Sequence, residues 1–275
     1  MTHNLAWPIQ DRNLSLQGRQ MNPLLQAVLF IGGSSLLSVL GLLLIRRRVD
    51  LEFLETHHEV AGYFITIYGT LYAVLLAFAV FVVWVDFKES ESNFELEANQ
   101  MADLYHMAQA FPEKFSTPIQ DALVGYLTSI LEDELPAMAA GHESPRTFQA
   151  LQSVWSVYLT GGPTDSKSQV FYDRSIGRLN ELGNYRRLRI LKSRGTVPTI
   201  LWCVLGTGAV LLVGFTYFFG LNLRSQALMT ATLAGFLAFS LYLIYSLNLP
   251  FAGFARVSPE AMQQELRFVQ GHLKR

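Results

Sequence analysis

Four stretches of the chain, 24–45, 60–85, 195–223 and 225–255, contain no Asp, Glu, Lys, Arg or His. Each is long enough to cross a hydrocarbon core of about 30 Å, which takes roughly 20 helical residues. The last two exceed a single span, so their cores fall at 198–219 and 227–249, joined across 220–226 as a helical hairpin. Pro198 suits the first turn of a helix, where its missing N–H costs nothing, and Pro250 suits a stop. With 51% hydrophobic and 16% charged residues, the composition is that of a membrane protein. The first span follows a polar segment and precedes Arg46, Arg47 and Arg48, unlike a cleaved signal peptide, and is expected to remain in the mature chain.

Topology follows from the Lys and Arg residues near the span ends. With both termini inside, ten of them lie on the inner side: Arg12, Arg19, Lys88, Arg186, Arg187, Arg189, Lys192, Arg194, Arg256 and Arg267. Four lie outside: Arg46, Arg47, Arg48 and Arg224. Cytoplasmic termini are therefore expected, with the Arg triplet as a violation that Asp50, Glu52, Glu55 and Glu59 offset. A formal charge of −1 gives no basic surface for a phosphate backbone, so nucleic acid is not expected as a partner. The single cysteine, Cys203, excludes an intrachain disulfide, and its apolar setting predicts a packing role.

The expected organisation is a cytoplasmic N-terminal segment (1–23), a first pair of spans (24–86), a cytoplasmic domain (87–196), a second pair (197–250) and a cytoplasmic C-terminal segment (251–275). The fold class is an all-α membrane protein whose cytoplasmic domain, between the second and third spans, is also helical. Phe87, Phe94, Ala98, Met101, Tyr105 and Ala108 recur at helical spacing, so the second span continues as a long helix with one apolar stripe. That stripe packs within the chain or forms a seam between subunits. A second helix is predicted over 118–135, a third from Ser144 and Pro145 to about Leu159, and a fourth capped by Thr164 or Asp165 after the Gly161, Gly162, Pro163 break.

Residues 88–184 hold 6 Lys and Arg against 14 Asp and Glu, whereas 185–195 hold five cations and no anion. The acidic part is expected to face solvent or cations. The basic run, Arg186, Arg187, Arg189, Lys192 and Arg194, abuts the bilayer and is the candidate lipid contact, or else ordinary topology signalling.

Sites for bond chemistry are sparse. Glu55, His58 and Glu59 share a helix face and form a weak metal candidate, but they lack the HExxH spacing and read better as a polar interfacial loop. Asp103 and His106 have a similar spacing and read as a local hydrogen bond. Glu132, Asp133 and Glu134 fan around a helix and read as a solvated end rather than a Ca²⁺ site. No phosphate loop or nucleophile elbow is present, so neither a cofactor nor catalysis is expected.

The second span has two distinct faces. Gly62, Thr66, Gly69, Thr70, Ala73 and Ala77 share one side, where small residues allow close helix packing. Tyr68, Tyr72, Leu75, Ala79 and Asp86 occupy the other. If copies surround an axis, Tyr68, Tyr72, Leu75 and Ala79 form a constriction that gates by dewetting, with Asp86 and Glu89 as acidic rings at the cytoplasmic mouth. The alternative is a face turned to lipid.

The segments HHEVAGYFITIYGTLYAVLLAFAVFVVW (57–84), EANQMADLYHMAQAFP (97–112), VPTILWCVLGTGA (197–209) and LNLPFAGFARVSPEAM (247–262) resemble the bacterial bestrophin-like domain family. The likeness covers roughly 24–266. It implies the layout of bestrophins: pentameric ion channels with four spans, cytoplasmic termini, a helical cytoplasmic domain and a second span carrying an apolar neck. By that resemblance Tyr68, Tyr72 and Leu75 are the neck candidates. No calcium clasp of the bestrophin kind is recognisable.

The leading reading is therefore a homo-oligomeric, pentameric ion channel of the bacterial inner membrane, with no enzymatic activity, whose partners are its own copies, membrane lipids and permeating ions. The alternative is a non-conducting scaffold whose cytoplasmic helices bind a partner protein or anionic lipid. A membrane metalloenzyme at Glu55, His58 and Glu59 is a third reading, which requires bound metal.

Overall fold

The structure is a computed structural model that describes residues 22–49, 51–162, 165–219 and 222–273. Those residues are helical and contain no strand. The expectations for most of 1–23, for Thr164 as a cap and for the centre of the 220–226 connection lie outside the described residues.

Helix α1 (Pro23–Arg46) starts at Asn22, whose side chain accepts the Leu24 N–H at 3.0 Å while Pro23 occupies the first turn. Helix α2 (Leu51–Ala108) is unbroken over 58 residues. At 1.5 Å per residue it is about 87 Å long, far more than a bilayer needs, so half of it projects as the spine of a polar head. The head is completed by α3 (Glu113–Ser129), a π-helical turn (Ile130–Glu134), α4 (Leu135–Ala139), α5 (Pro145–Thr160) and α6 (Ser166–Ser193). The chain then re-enters the apolar layer as α7 (Thr199–Phe215), closed by a 3₁₀ turn (Thr216–Phe218), and α8 (Leu223–Asn248). A last helix, α9 (Glu260–Leu273), folds back against α2 and α3.

The predicted caps of the head are present. Ser144 accepts the Thr147 N–H at 3.3 Å at the start of α5, and Asp165 accepts the Ser168 N–H at 3.2 Å at the start of α6. The second predicted helix differs. It begins at Glu113, with Pro118 inside, and is interrupted by the π turn before Leu135. Pro136 explains the interruption: it has no N–H to offer the preceding turn, and the widened turn accommodates its ring. The Leu135 N–H bonds to the Ile130 carbonyl, five residues back.

The Arg46 violation has a structural use. Its Nη2 donates to Gln226 Oε1 at 2.6 Å, and Gln226 Nε2 donates to the Thr216 carbonyl at 2.8 Å. This ties the far end of α1 to the α7–α8 hairpin. Cys203, expected to pack inside, is instead exposed on α7.

Helices α2 and α7 meet closely at Gly208. A Cβ there would lie 2.4 Å from the Tyr72 ring, and Tyr72 Oη donates to the Leu205 carbonyl at 2.9 Å. Gly208→Ala therefore forces the ring out of its seat. We expect it to destabilise the fold by about 1–3 kcal/mol, the usual cost of overpacking, seen as a lower unfolding temperature in detergent. An unchanged temperature would contradict this packing.

Candidate functional site

The two faces of α2 decide what a pore could be made of: Gly69 of the expected packing side does lie against Leu212, but Tyr72 and Ala79, expected on a passage, are packed inside the chain. Tyr72, Ala79 and Val83 are buried within the chain, and Tyr68 and Leu75 are half-buried beside them. Tyr68 sits edge-on to the Phe215 ring, 6.0 Å away. Tyr72 and Ala79 thus line no passage: the groove at Gly208 draws Tyr72 onto α7. The opposite face is open. Ile67, Val74 and Phe81 are more than 60% exposed, with Thr70 and Ala77 exposed between them. Thr66 and Thr70 donate their hydroxyl protons to the Gly62 and Thr66 carbonyls, at 2.8 and 2.7 Å, leaving oxygen lone pairs outward.

Where α2 leaves the apolar layer, Lys192 of α6 donates to Asp86 at 3.0 Å and to Glu89 at 2.6 Å. Thr196 Oγ1 donates to the other Asp86 oxygen at 2.7 Å. Burial alone would raise the Asp86 pKa, but the bonds from Thr196 and Lys192 bring it below its ordinary value. The Lys192 pKa is raised, because these same carboxylates outweigh the effect of its burial. The Asn248 side chain, at the end of α8, accepts the Thr196 and Val197 N–H groups at 2.9 and 3.0 Å. Gly195 enables this turn: its φ is +79°, and a Cβ would lie 2.5 Å from Asn248 Nδ2. Helices α2, α6 and α8 are thereby locked together at the base of the head.

Inside the head lies a network that the sequence did not suggest. Arg189 reaches Glu97 of α2 through Nε at 2.7 Å and Nη2 at 3.0 Å, and Nη2 also reaches Glu134 at 2.8 Å. Arg186 donates to the same Glu134 through Nε and Nη2. Tyr126 Oη donates to Glu97 at 2.8 Å, and the Arg189 guanidinium lies 5.6 Å from the Phe94 ring centre. Glu97, Glu134 and Arg189 are fully buried, and two anions face two cations, so the interior holds no net charge from these four. Burial alone would lower the Arg189 pKa; the charge and bonds of Glu97, then Glu134, raise it above its usual value. The Tyr126 pKa is raised well above 10.0, first by burial and then by Glu97 beside it.

These contacts correct the lipid-contact reading of the basic run. Arg186, Arg189 and Lys192 turn inward to carboxylates because a helix of this run has one face on α2. Only Arg187 and Arg194 are exposed, and Arg194 lies 3.5 Å from Glu143. Glu134 likewise is no solvated end, since the π turn rotates it inward, while Asp133 stays outside on Arg146 at 3.0 Å. Asp103 pairs with Arg178 at 3.3 Å, and the His106 ring lies 5.4 Å from the Phe268 ring, tilted at 57°, so each has its own neighbour. The side chains of Glu55 and His58 lie outside the described residues, and Glu59 is exposed. Among the described residues no group of three His, Cys, Asp or Glu is placed to hold a metal ion.

Four apolar helices of spanning length, one running unbroken into a helical head closed on buried ion pairs, define an all-α integral membrane protein. The bestrophin-like domain model matches residues 32–262, and the chain belongs to the bestrophin-like family. Its fold is similar to crystal structures of a bacterial bestrophin homologue from Klebsiella pneumoniae. One mutant form aligns with a TM-score of 0.62 and 14% identity, covering 93% of this chain and 100% of that one. A second mutant gives 0.63 and 14%, with 92% and 100% covered. A further structure of that homologue gives 0.61 and 15%, with 92% and 97% covered. At such identities the likeness is one of fold. No curated protein matches the sequence.

Proposed function

We propose that the protein is a homo-oligomeric, pentameric ion channel of the bacterial inner membrane, with both termini in the cytoplasm and α2 lining the pore. The observation that carries this reading is the outer face of α2. Ile67, Val74 and Phe81 recur every seven residues on the side turned away from the chain's own helices. Around an axis they would stack as apolar rings, separated by Thr70 and Ala77, narrow enough to gate by dewetting. Family membership supports the assembly, and the head supports a vestibule below the span.

At the cytoplasmic mouth, Asp86 stays on the packed side of α2 with Tyr72 and Ala79, bonded to Lys192 and Thr196, and the exposed Glu89, which Lys192 also holds, is the acid left to the ion path. A ring of such charges favours cations near the mouth. Removing Lys192 as Lys192→Ala should shift the reversal potential of reconstituted protein in a NaCl gradient towards the Na⁺ value. A potential that stays put would remove Glu89 from the ion path. The reading as a whole is tested by flux from liposomes: chloride or sodium efflux that depends on the protein supports it, and none with either ion opposes it.

A further inference from the structure

The exposed face of α2 changes character along its length. Its side-chain oxygens, on Glu59, Tyr63, Thr66 and Thr70, all lie in the half of the span far from the head, whereas the exposed residues of 71–85 are Leu, Ala, Val, Phe and Trp. No Lys or Arg occurs in 59–85. Glu59, Thr66 and Ala73 stand seven residues apart in one row, and Tyr63, Thr70 and Ala77 form the next, beside the row of Ile67, Val74 and Phe81. At 1.5 Å per residue, Thr70 lies about 16 Å inward of Glu59 and about 6 Å before Val74. An ion entering from that end would meet a carboxylate first, then hydroxyl oxygens, then the apolar rings.

We propose that ions are selected by charge at this far end, where Glu59 concentrates cations and the Thr66 and Thr70 oxygens replace part of their hydration before Val74; this rests on α2 lining the ion path. The hydroxyl geometry favours that sign of charge. A threonine hydroxyl has one proton and two lone pairs. Thr66 and Thr70 commit their protons to the Gly62 and Thr66 carbonyls, at 2.8 and 2.7 Å, so each oxygen offers only acceptor capacity outward. Such an oxygen can stand in for water on a cation and gives chloride no donor. Glu59 is exposed and forms no ion pair with a described residue, whereas at the other mouth Lys192 offsets the charge of Glu89. The stronger field for cations is therefore at the end far from the head.

The test is the reversal potential of the full-length protein in a planar bilayer under a NaCl gradient. Wild type should reverse on the Na⁺ side of zero. Glu59→Gln should lower the ratio of Na⁺ to Cl⁻ permeability by about tenfold at low salt, and by less as added salt screens the ring. Thr66→Val combined with Thr70→Val keeps side-chain size and removes both oxygens. This pair should lower the ratio several-fold at every salt concentration, and it serves equally if Glu59→Gln fails to insert. Conduction with the wild-type ratio in both variants would overturn the proposal and leave the pore reading standing, as would a wild type that reverses at the Cl⁻ potential. A wild type that passes neither ion would overturn the pore reading and this selection with it.

Discussion

Arg189→Met should be the most damaging single substitution in the head. It leaves Glu97 and Glu134 facing Arg186 alone, one buried anion without a counterion. Breaking a buried pair in this way costs about 3–5 kcal/mol, well above the worth of any exposed ion pair. We expect a large fall in the unfolding temperature of the detergent-solubilised protein, followed by tryptophan fluorescence. The double variant Arg189→Met with Glu97→Gln restores neutrality, since Glu134 keeps Arg186, and should recover most of the loss. Damage that is additive rather than compensated would mean that the four groups do not act as a unit. The network matters for function because Glu97 belongs to α2: the same helix that would line a pore is clamped to α6 and to the π turn.

The second large effect concerns the pore face. Replacing Ile67, Val74 and Phe81 together by alanine should raise ion flux from liposomes several-fold, because it widens and wets the proposed apolar rings. Tyr72→Phe removes only the 2.9 Å bond to the Leu205 carbonyl and should leave flux near wild type, at a cost of about 1 kcal/mol in stability. The reverse pattern, insensitivity of the outer face and strong sensitivity at Tyr72, would return the pore to the inner face and contradict the packing against α7.

The spans are legible in the sequence because a helix of about 20 residues with no charged side chain matches the thickness of a bilayer. Helices α5 and α6 are legible because Ser144, Pro145 and Asp165 carry local capping chemistry. The facing of α2 is not legible. Within a membrane both sides of a helix are apolar, so periodicity loses its contrast, and the small-residue rule points to Gly62, Gly69 and Ala77 as the packed side. The deciding small residue is on the partner helix: Gly208 opens the seat that Tyr72 fills. The ion-pair network is hidden for a related reason. Glu97 lies on the apolar stripe with Phe94 and Met101, which signals a buried charge in need of a cation, but its partners come from α6, 92 residues away for Arg189. In sequence Glu134 is one acid among three, because the π turn that rotates it inward arises from Pro136. Helix α9 was not expected, although Met262 and Val269, both buried, mark its inner face.

The outer face of α2 as the wall of an ion path is the central claim, and imaging the purified assembly in a mild detergent tests it most directly. The expected result is a closed ring of subunits, five in number, with α2 innermost and Ile67, Val74 and Phe81 facing the axis. A monomer, a dimer without a central axis, or a ring in which α1 or α8 is innermost would contradict it.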